Sequence, residues 1–283
     1  MLDTVDTSET LGALDEALAF APGADGALSL TTPLSLSNGV LRREPHKGGP
    51  FGGYMLSAAV RAARAQLGAT APLRTVTAQF LAAARFEPVE FRAETLRGGR
   101  STLYAGVRAE QAGKPILAAL ATFGADGAGP AHRPLAITPA APLDSIASSE
   151  LDAPFRPWFT RWVEYRLAME PRFGAQDEAV VKVWMRLKDG KPLDEARLCF
   201  LMDAIWPNFF MVTDMAMTAT ADMRVDLFDP LGPDVSPDGW AYFEFRTGDA
   251  SSGWAVEDGV AIAPDGRPLG VARQLRKVLA KPA

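Results

Sequence analysis

The stretch GGPFGGYMLSAAVRAARAQLG, residues 48–68, decides the fold because it predicts one clearly delimited helix. Gly52 and Gly53 precede the helical pattern, and Gly68 follows it at the position where helices commonly end on a glycine. One face of this helix is mostly small and carries Met55, Ala58, Ala59, Ala62 and Gln66. A β-sheet can therefore pack very closely against it.

The segments after this helix alternate apolar and polar residues, which is the pattern of half-buried strands. Val76, Ala78 and Phe80 alternate with polar neighbours, and the pattern returns in VEFRAETLR, STLYAGVRAEQ and PILAALATF. Gly98–Gly99 and Gly113–Lys114 predict the turns between these strands. The first half of the chain is thus one helix followed by an antiparallel meander.

The second half repeats this order. Residues 192–194 cap a second predicted helix, Glu195 to Trp206, and Pro207 helps to end it. Strand-like segments flank this helix, with turns predicted at Gly248–Asp249 and Asp265–Gly266. Because helix plus meander occurs twice, a tandem repeat is the economical interpretation. A helix wrapped by an antiparallel sheet, twice in one chain, is an α+β double hotdog.

These patterns divide the chain into four parts. The first hotdog covers residues 26–125, and the second covers residues 156–283. Between them, residues 126–155 are rich in Gly, Ala, Pro, Asp and Ser, which predicts a linker that wraps the surface. Residues 1–25 predict an N-terminal helical segment. Its helical spacing comes from Leu11, Leu14 and Leu18, after the cap-like pair Thr7–Ser8.

The composition argues against several classes of protein. Hydrophobic residues make up 48% of the 283 residues, so a packed core is expected. The net charge of −5 comes without a basic stripe, which argues against a nucleic-acid partner. No apolar stretch approaches the ~20 residues of a membrane span. The acidic N-terminus lacks the basic region of a signal peptide, and we expect a cytoplasmic protein.

Metal and cofactor sites are not indicated by the sequence. Cys199, His46 and His132 are the only cysteine and histidines, which nearly excludes a zinc site of the usual kind. No phosphate-binding G-x-x-x-x-G-K-[ST] loop and no G-x-G-x-x-G motif are present. A single cysteine also forms no internal disulfide, in keeping with a reducing compartment. We therefore expect no metal and no cofactor.

One acidic residue stands out. The stretch RLCFLMDAIWPNFF, residues 197–210, places Asp203 in an otherwise almost wholly apolar run. A buried carboxylate is costly unless it is hydrogen-bonded or paired. Two interpretations stay open at this point: a core carboxylate paired with an arginine such as Arg224 or Arg273, or a functional group with a shifted pKa.

Several segments resemble TesB-like (type II) acyl-CoA thioesterases. In the first half these are PFGGYMLSAAVRAA and ETLRGGRSTLYAGVRAEQAGKPILAALATFG. In the second half LMDAIWP, TATADMRVDLFDP and DGRPLGVARQ follow in the family's order, and the resemblance covers roughly residues 28 to 280. It implies a double-hotdog fold and a cofactor-free hydrolysis of acyl-CoA to a carboxylic acid and CoA, as part of lipid metabolism.

The resemblance also implies a catalytic triad in the second hotdog. The family's Asp lies on the second helix and matches Asp203, and its Thr and Gln match Thr220 and Gln274. Thr218 is an alternative to Thr220, since both point to the same face of a strand. Aligning the last strand through Val271–Ala272 would instead put Arg276 at the glutamine position.

Thioester hydrolysis needs a positioned water, a base and donors for the developing oxyanion. Burial raises the pKa of Asp203, whereas hydrogen bonds from Thr220 and Gln274 to the ionised form lower it. The N–H groups at the start of the first helix are natural oxyanion donors, so we predict substrate binding by Gly52, Gly53 and Tyr54. The acyl chain is expected in an apolar slot between helix and sheet.

Two other functions remain open from the sequence. A hotdog hydratase or dehydratase usually needs a histidine on or near the helix, but His46 and His132 lie in loop-like sequence. A non-catalytic acyl-CoA or lipid-binding protein would keep the fold without turnover. Exposed sheet edges and apolar faces also allow a homo-oligomer.

Overall fold

The computed structural model describes residues 12–41, 43–130, 132, 137–149, 151 and 156–279. Its helices are α1 (Leu14–Ala17), α2 (Gly52–Leu67) and α3 (Glu195–Leu201). Its strands are β1 (Ala21–Pro22), β2 (Leu28–Leu30), β3 (Leu73–Phe80), β4 (Val89–Gly98), β5 (Thr102–Gln111), β6 (Lys114–Gly124), β7 (Val163–Leu167), β8 (Val180–Leu187), β9 (Thr218–Leu227), β10 (Ala241–Ser251), β11 (Trp254–Ile262) and β12 (Pro268–Val278).

Helix α2 forms where the sequence predicts it. Gly68 ends it in the left-handed region, with φ of 61°, a conformation that glycine adopts without cost. Gly52 and Gly53 make its first turn instead of preceding it. Its contact with α3 uses another side of the helix, where the Ser57 hydroxyl donates to the Ala196 carbonyl oxygen on α3 at 2.7 Å.

The first meander confirms the alternation read from the sequence. Strands β3 to β6 follow α2, and α2 packs on β4 and β5. The β4–β5 turn lies at Gly99–Ser101, next to the predicted pair. The β5–β6 turn is Ala112–Gly113, so Lys114 is already the first residue of β6.

Helix α3 is shorter than expected. It ends at Leu201 and not at Trp206, because the next N–H groups bond three residues back: Asp203 to Phe200 and Ala204 to Leu201. Pro207 disfavours helical backbone at the residue before it, which also shortens the helix. Asp203 therefore lies in the turn after α3, two residues beyond the helix on which it was predicted.

One predicted turn is wrong. Gly248–Asp249 lies inside β10, where the pairing with β11 shifts between Thr247 and Asp249. The chain instead reverses at Ser252–Gly253, which have φ of 51° and 77°. A β-bulge and a turn both tolerate glycine, so the dipeptide alone does not separate them. The turn predicted at Asp265–Gly266 is confirmed.

The described strands form one antiparallel sheet in the order β1-β2-β4-β5-β6-β3-β9-β12-β11-β10-β8-β7. Its two halves join where β3 pairs with β9, for example Val76 opposite Val225. Each half wraps one helix, and α2 and α3 contact each other. The predicted α+β double hotdog is confirmed, and its two halves share a continuous sheet.

The segments outside the two hotdogs lie against them. Helix α1 buries Leu14 and its neighbour Leu18, while Thr7–Ser8 and Leu11 fall outside the described residues. Asp15 ties α1 to α2 and α3 through Arg61 and Arg197, at 2.9 and 2.8 Å. The described part of the linker packs on an apolar cluster of the second half through Ile137, Leu143 and Ile146. The domain boundaries themselves stay a prediction.

Candidate active site

The three residues predicted to act together lie together. Gln274 Nε2 on β12 donates to Asp203 Oδ1 at 2.8 Å and to Thr220 Oγ1 on β9 at 2.7 Å. Asp203 is only 6% exposed, and Gln274 is 5% exposed. One amide group thus joins the carboxylate after α3 to a hydroxyl on the neighbouring strand. The predicted catalytic roles stay predictions, because contact alone does not show turnover.

The alternative residues are placed by the pairing of β9 with β12. Thr220 lies opposite Arg276, and Thr218 lies opposite Val278, further from Asp203 along the strand. Gln274 and Arg276 are two residues apart, so their side chains share one face of β12. Both reach Asp203, and the choice between them is therefore not exclusive.

Arg276 is also the arginine that faces Asp203. Its Nη2 lies 3.4 Å from Asp203 Oδ1, and its Nη1 donates to Thr220 Oγ1 at 3.2 Å. The sequence-based choice of Arg224 or Arg273 as the ion-pair partner is wrong. Arg224 pairs with Asp226 at 2.8 Å, and Arg273 lies 3.5 Å from Asp258. Both of those arginines are exposed.

Glu257 is a buried group that sequence reasoning missed. Its Oε2 accepts from Arg276 Nε at 2.5 Å, and its Oε1 accepts from the Asn208 backbone N–H. The strand alternation could have revealed it, because Glu257 lies at two-residue spacing with Ala255, Gly259 and Ala261, which are all buried on β11. A charged residue on the buried face of a strand requires a partner.

Burial dominates the electrostatics of Asp203. Desolvation raises the pKa of this carboxyl above its ordinary value of 3.8, whereas Arg276, the Gln274 amide and the Gly53 N–H work to lower it. Glu257 works in the raising direction. The sequence predicts that burial and hydrogen bonds shift the pKa of Asp203 in opposite directions. The structure shows both influences and adds two charged groups, Arg276 and Glu257.

Asp203, Thr220 and Arg276 line a cleft of about 1540 Å³, and Gln274 does not. Ordinary small-molecule pockets hold roughly 300–1,000 Å³, so this cleft suits a larger ligand. Many of its walls are apolar and are formed by Met55, Phe80, Leu117, Phe159, Ile205, Trp206, Phe210, Met215 and Met217. Gln274 lies behind the cleft wall and is hydrogen-bonded to Asp203 and Thr220, which line it.

The predicted substrate-binding residues divide into different environments. Gly52 lines the cleft, and a Cβ added there would lie 2.8 Å from Asp203 Oδ2. The Gly53 N–H faces the Asp203 carboxylate and works to lower the pKa of this carboxyl. The buried Tyr54 hydroxyl donates to the Ala17 carbonyl oxygen at 2.6 Å and holds the N-terminal segment. Neither Gly53 nor Tyr54 lines the cleft.

The remaining rim of the cleft is cationic at several points. Arg43, Lys47 and Arg85 are exposed and line it, and the sequence alone had not placed them. His46 also lies there, exposed in a 3₁₀ turn and 3.2 Å from Glu44. His132 is exposed as well and is not among the lining residues. Neither histidine lies on α2 or α3, whereas a hotdog hydratase or dehydratase usually has a histidine on or near the helix.

Within the described ranges, no helix is both long enough and apolar enough to span a bilayer. Over the same residues, no group of three or more His, Cys, Asp or Glu side chains is arranged to hold a metal ion.

Comparison with family models gives matches in both halves. Residues 42–124 match the acyl-CoA thioesterase N-terminal domain, and residues 136–276 match the acyl-CoA thioesterase C-terminal domain. A search of curated proteins gave no match.

Solved structures share the fold over nearly their whole length. A hotdog-fold protein of unknown function from Alicyclobacillus acidocaldarius aligns with a TM-score of 0.84 at 23% identity, covering 96% of this chain and 100% of that one. The tesB protein of Mycobacterium avium subspecies paratuberculosis gives 0.76 at 17% identity, with 94% and 98% covered. Acyl-CoA thioesterase II TesB2 from Mycobacterium marinum gives 0.73 at 18% identity, with 95% and 99% covered. At these identities the likeness concerns the fold alone.

Proposed function

The chain belongs to the acyl-CoA thioesterase family, a family of thioester hydrolases, and we propose that it cleaves acyl-CoA with a water activated by Asp203, Thr220 and Gln274. One observation carries the proposal: a single buried amide holds a carboxylate and a hydroxyl together in the wall of a large cleft. The products are a carboxylic acid and CoA.

Asp203 is the base in this scheme. The water oxygen attacks the thioester carbonyl carbon while its proton passes to the Asp203 carboxylate. Collapse of the tetrahedral intermediate breaks the C–S bond, and the proton returns from Asp203 to the leaving thiolate sulfur. Burial supports this role because it raises the pKa of Asp203 and makes the carboxylate a stronger base. General-base assistance is worth about 10²–10⁴-fold.

Thr220 acts as the donor toward the cleft. Its oxygen accepts from Gln274 Nε2 and from Arg276 Nη1, which occupies both acceptor positions of a hydroxyl. The hydroxyl proton is therefore left to point to a water or a substrate oxygen. Gln274 does not line the cleft, so we assign it the task of fixing the Asp203 and Thr220 side chains.

The shape and charge of the cleft support an acyl-CoA as the substrate. Its apolar lining suits the acyl chain. The cationic rim residues Arg43, Lys47 and Arg85 suit the phosphate groups of CoA, because phosphates bind most readily to arginine and lysine. The free, buried Cys199 also suits a reducing cytoplasm, where we expect this reaction to serve lipid metabolism.

The test is an acyl-CoA panel that varies chain length and ring content, assayed for free thiol release by wild type and Asp203→Asn. We expect Asp203→Asn to lose about 10²–10⁴-fold in kcat with little change in KM. Asp222→Asn is the matched control, since Asp222 lies on β9 outside the cleft lining.

Two results would contradict the proposal in different ways. Equal turnover by wild type and Asp203→Asn would exclude Asp203 as the base. If wild type binds several acyl-CoAs by calorimetry and cleaves none of them, the chain is an acyl-CoA-binding protein, as the sequence also allowed.

A further inference from the structure

A buried ion pair stands directly behind the proposed base. Arg276 is 8% exposed and Glu257 is 4% exposed, and they meet through Nε and Oε2 at 2.5 Å. The other end of the same guanidinium contacts Asp203 Oδ1 at 3.4 Å and Thr220 Oγ1 at 3.2 Å. Arg276 thus connects Glu257, which does not line the cleft, with Asp203 and Thr220, which do.

We propose that Arg276, anchored by Glu257, is a positioning residue for the hydrolysis that holds the Asp203 carboxylate and the Thr220 hydroxyl toward the attacking water. The inference rests on the proposed role of Asp203 as the base. Neither Arg276 nor Glu257 is needed for the chemistry of proton transfer itself.

The geometry requires an arginine. A guanidinium carries five N–H donors in a rigid plane, and here Nε, Nη1 and Nη2 each serve a different partner. A lysine carries its three donors on one nitrogen at the end of a flexible stem, so it does not reproduce the planar spread with which the guanidinium meets these three partners. Glu257 fixes this plane, since its second oxygen is held by the Asn208 N–H and by the Thr247 hydroxyl at 3.3 Å.

The charges also favour this arrangement. Asp203, Arg276 and Glu257 together carry one net negative charge when all are ionised. Burial works to lower the pKa of Arg276, but Glu257 and Asp203 outweigh it, so the pKa is raised and the guanidinium stays charged. When the proton moves to Asp203, the negative charge moves to the substrate oxygen, and the cluster of Asp203, Arg276 and Glu257 becomes neutral. Arg276 stays paired with Glu257 in this state and still holds the Thr220 oxygen.

Among the described residues, the groups that face Asp203 come from several elements. Helix α2 supplies the Gly53 N–H, β12 supplies Gln274 and Arg276, and β11 supplies Glu257. Titratable groups also lie close by: Cys199 is on α3, and the Tyr165 hydroxyl on β7 donates to the Ala204 carbonyl oxygen at 2.9 Å. Burial raises the pKa of both groups, which keeps them neutral at ordinary pH. The charged groups that act on Asp203 are therefore Arg276 and Glu257.

Opposite pH shifts in two variants test the proposal. In Arg276→Met, Asp203 loses its cation, and the acidic limb of the kcat–pH profile should move up by about 1–3 pH units. In Glu257→Gln, Asp203 loses a nearby negative charge, and the limb should move down by a smaller amount. Arg276→Lys should keep the acidic limb of the kcat–pH profile near its wild-type position, because the positive charge remains. It should lower kcat, because the planar guanidinium with its three hydrogen-bond partners is lost.

The double variant Arg276→Met/Glu257→Gln covers the case in which Arg276→Met leaves Glu257 uncompensated and does not fold. It removes both charges, and its limb should lie between those of wild type and Arg276→Met. Arg273→Met, on the exposed side of the same strand, is the control and should leave the profile unchanged.

The outcomes separate this inference from the proposed function. If Asp203→Asn is inactive but the limb stays fixed in Glu257→Gln and in the double variant, Arg276 and Glu257 are merely structural and the inference is overturned. If Asp203→Asn turns over like wild type, the proposed function is wrong and the inference is wrong with it.

Discussion

Replacing Gly52 with alanine should slow the reaction while leaving the fold intact. A Cβ at this position would lie 2.8 Å from Asp203 Oδ2 and 3.6 Å from two ring carbons of Phe80. The ring contacts are ordinary, so the carboxylate alone must give way, by about 0.6 Å, to restore a normal separation. It cannot swing freely, because its other oxygen is held by Gln274 and Arg276.

The size of the effect follows from how sharply catalysis depends on position. A displacement of about 1 Å at a reacting group can cost 10²-fold, so 0.6 Å predicts a loss of about 10-fold in kcat. The helix should not suffer, since alanine is a better helix former than glycine by about 0.5–1 kcal/mol. KM should change less than kcat, because the rest of the cleft is untouched.

The measurement is initial-rate thiol release across substrate concentrations, together with thermal unfolding of each variant. Gly53→Ala is the matched comparison, one residue further along the same helix. There the Cβ would meet the Phe200 carbonyl oxygen and the Phe51 ring at 2.7 Å, and a backbone oxygen cannot move aside. That variant should lose about 1–3 kcal/mol of stability through overpacking.

Two results would refute this reasoning. If Gly52→Ala retains the wild-type kcat, the Asp203 carboxylate is not confined as the structure indicates, or it is not the base. If Gly52→Ala and Gly53→Ala lose stability equally, the distinction between a side-chain contact and a backbone contact fails.

Further predictions concern pH, charge and stability. Since burial raises the pKa of Asp203, the wild-type kcat should fall as the pH drops through a value above 3.8, an inflection that a pH–rate series detects. Arg43→Gln and Arg85→Gln should each raise KM by about 2- to 5-fold, with the difference shrinking at high salt; Michaelis curves at two ionic strengths check this. The hydrogen bond from Arg197 lowers the pKa of Asp15 to about 2, so the stability that Asp15 contributes is complete above 3.8 and is lost as the pH falls toward 2. Asp15→Asn should therefore lower Tm at pH 7, and the gap to wild type should close between pH 3.8 and 2 in thermal melts.

The fold was largely readable from the sequence because its signals are local. The glycines around α2 and the alternation in β3 to β6 depend on neighbours within a few residues. The errors occurred where a local pattern has two structural meanings. Gly248–Asp249 makes a bulge and not a turn, and the apolar run after α3 continues as irregular chain and not as helix.

The candidate site was readable only in part. Asp203 was visible as one acid in an apolar run, and the family resemblance supplied Thr220 and Gln274. The pairing of Glu257 with Arg276 was not visible, because Glu257 lies opposite Gln274 while Arg276 lies opposite Ala255. The two charges meet diagonally across β11 and β12, and the register that brings them together is not encoded in either strand alone.

The position of Thr220 shows why strand alternation could not complete the site. Met223 lies opposite Gln274, so both face the interior, and strict alternation along β9 would then turn Ala221 inward and Thr220 outward. The pairing instead shifts between Leu275 and Arg276, so that Ala221 is skipped and Thr220 lies opposite Arg276. This bulge reverses the phase of the strand and brings the hydroxyl to the same face as the amide and the guanidinium. The site therefore depends on an irregularity in the sheet as much as on the identity of its residues.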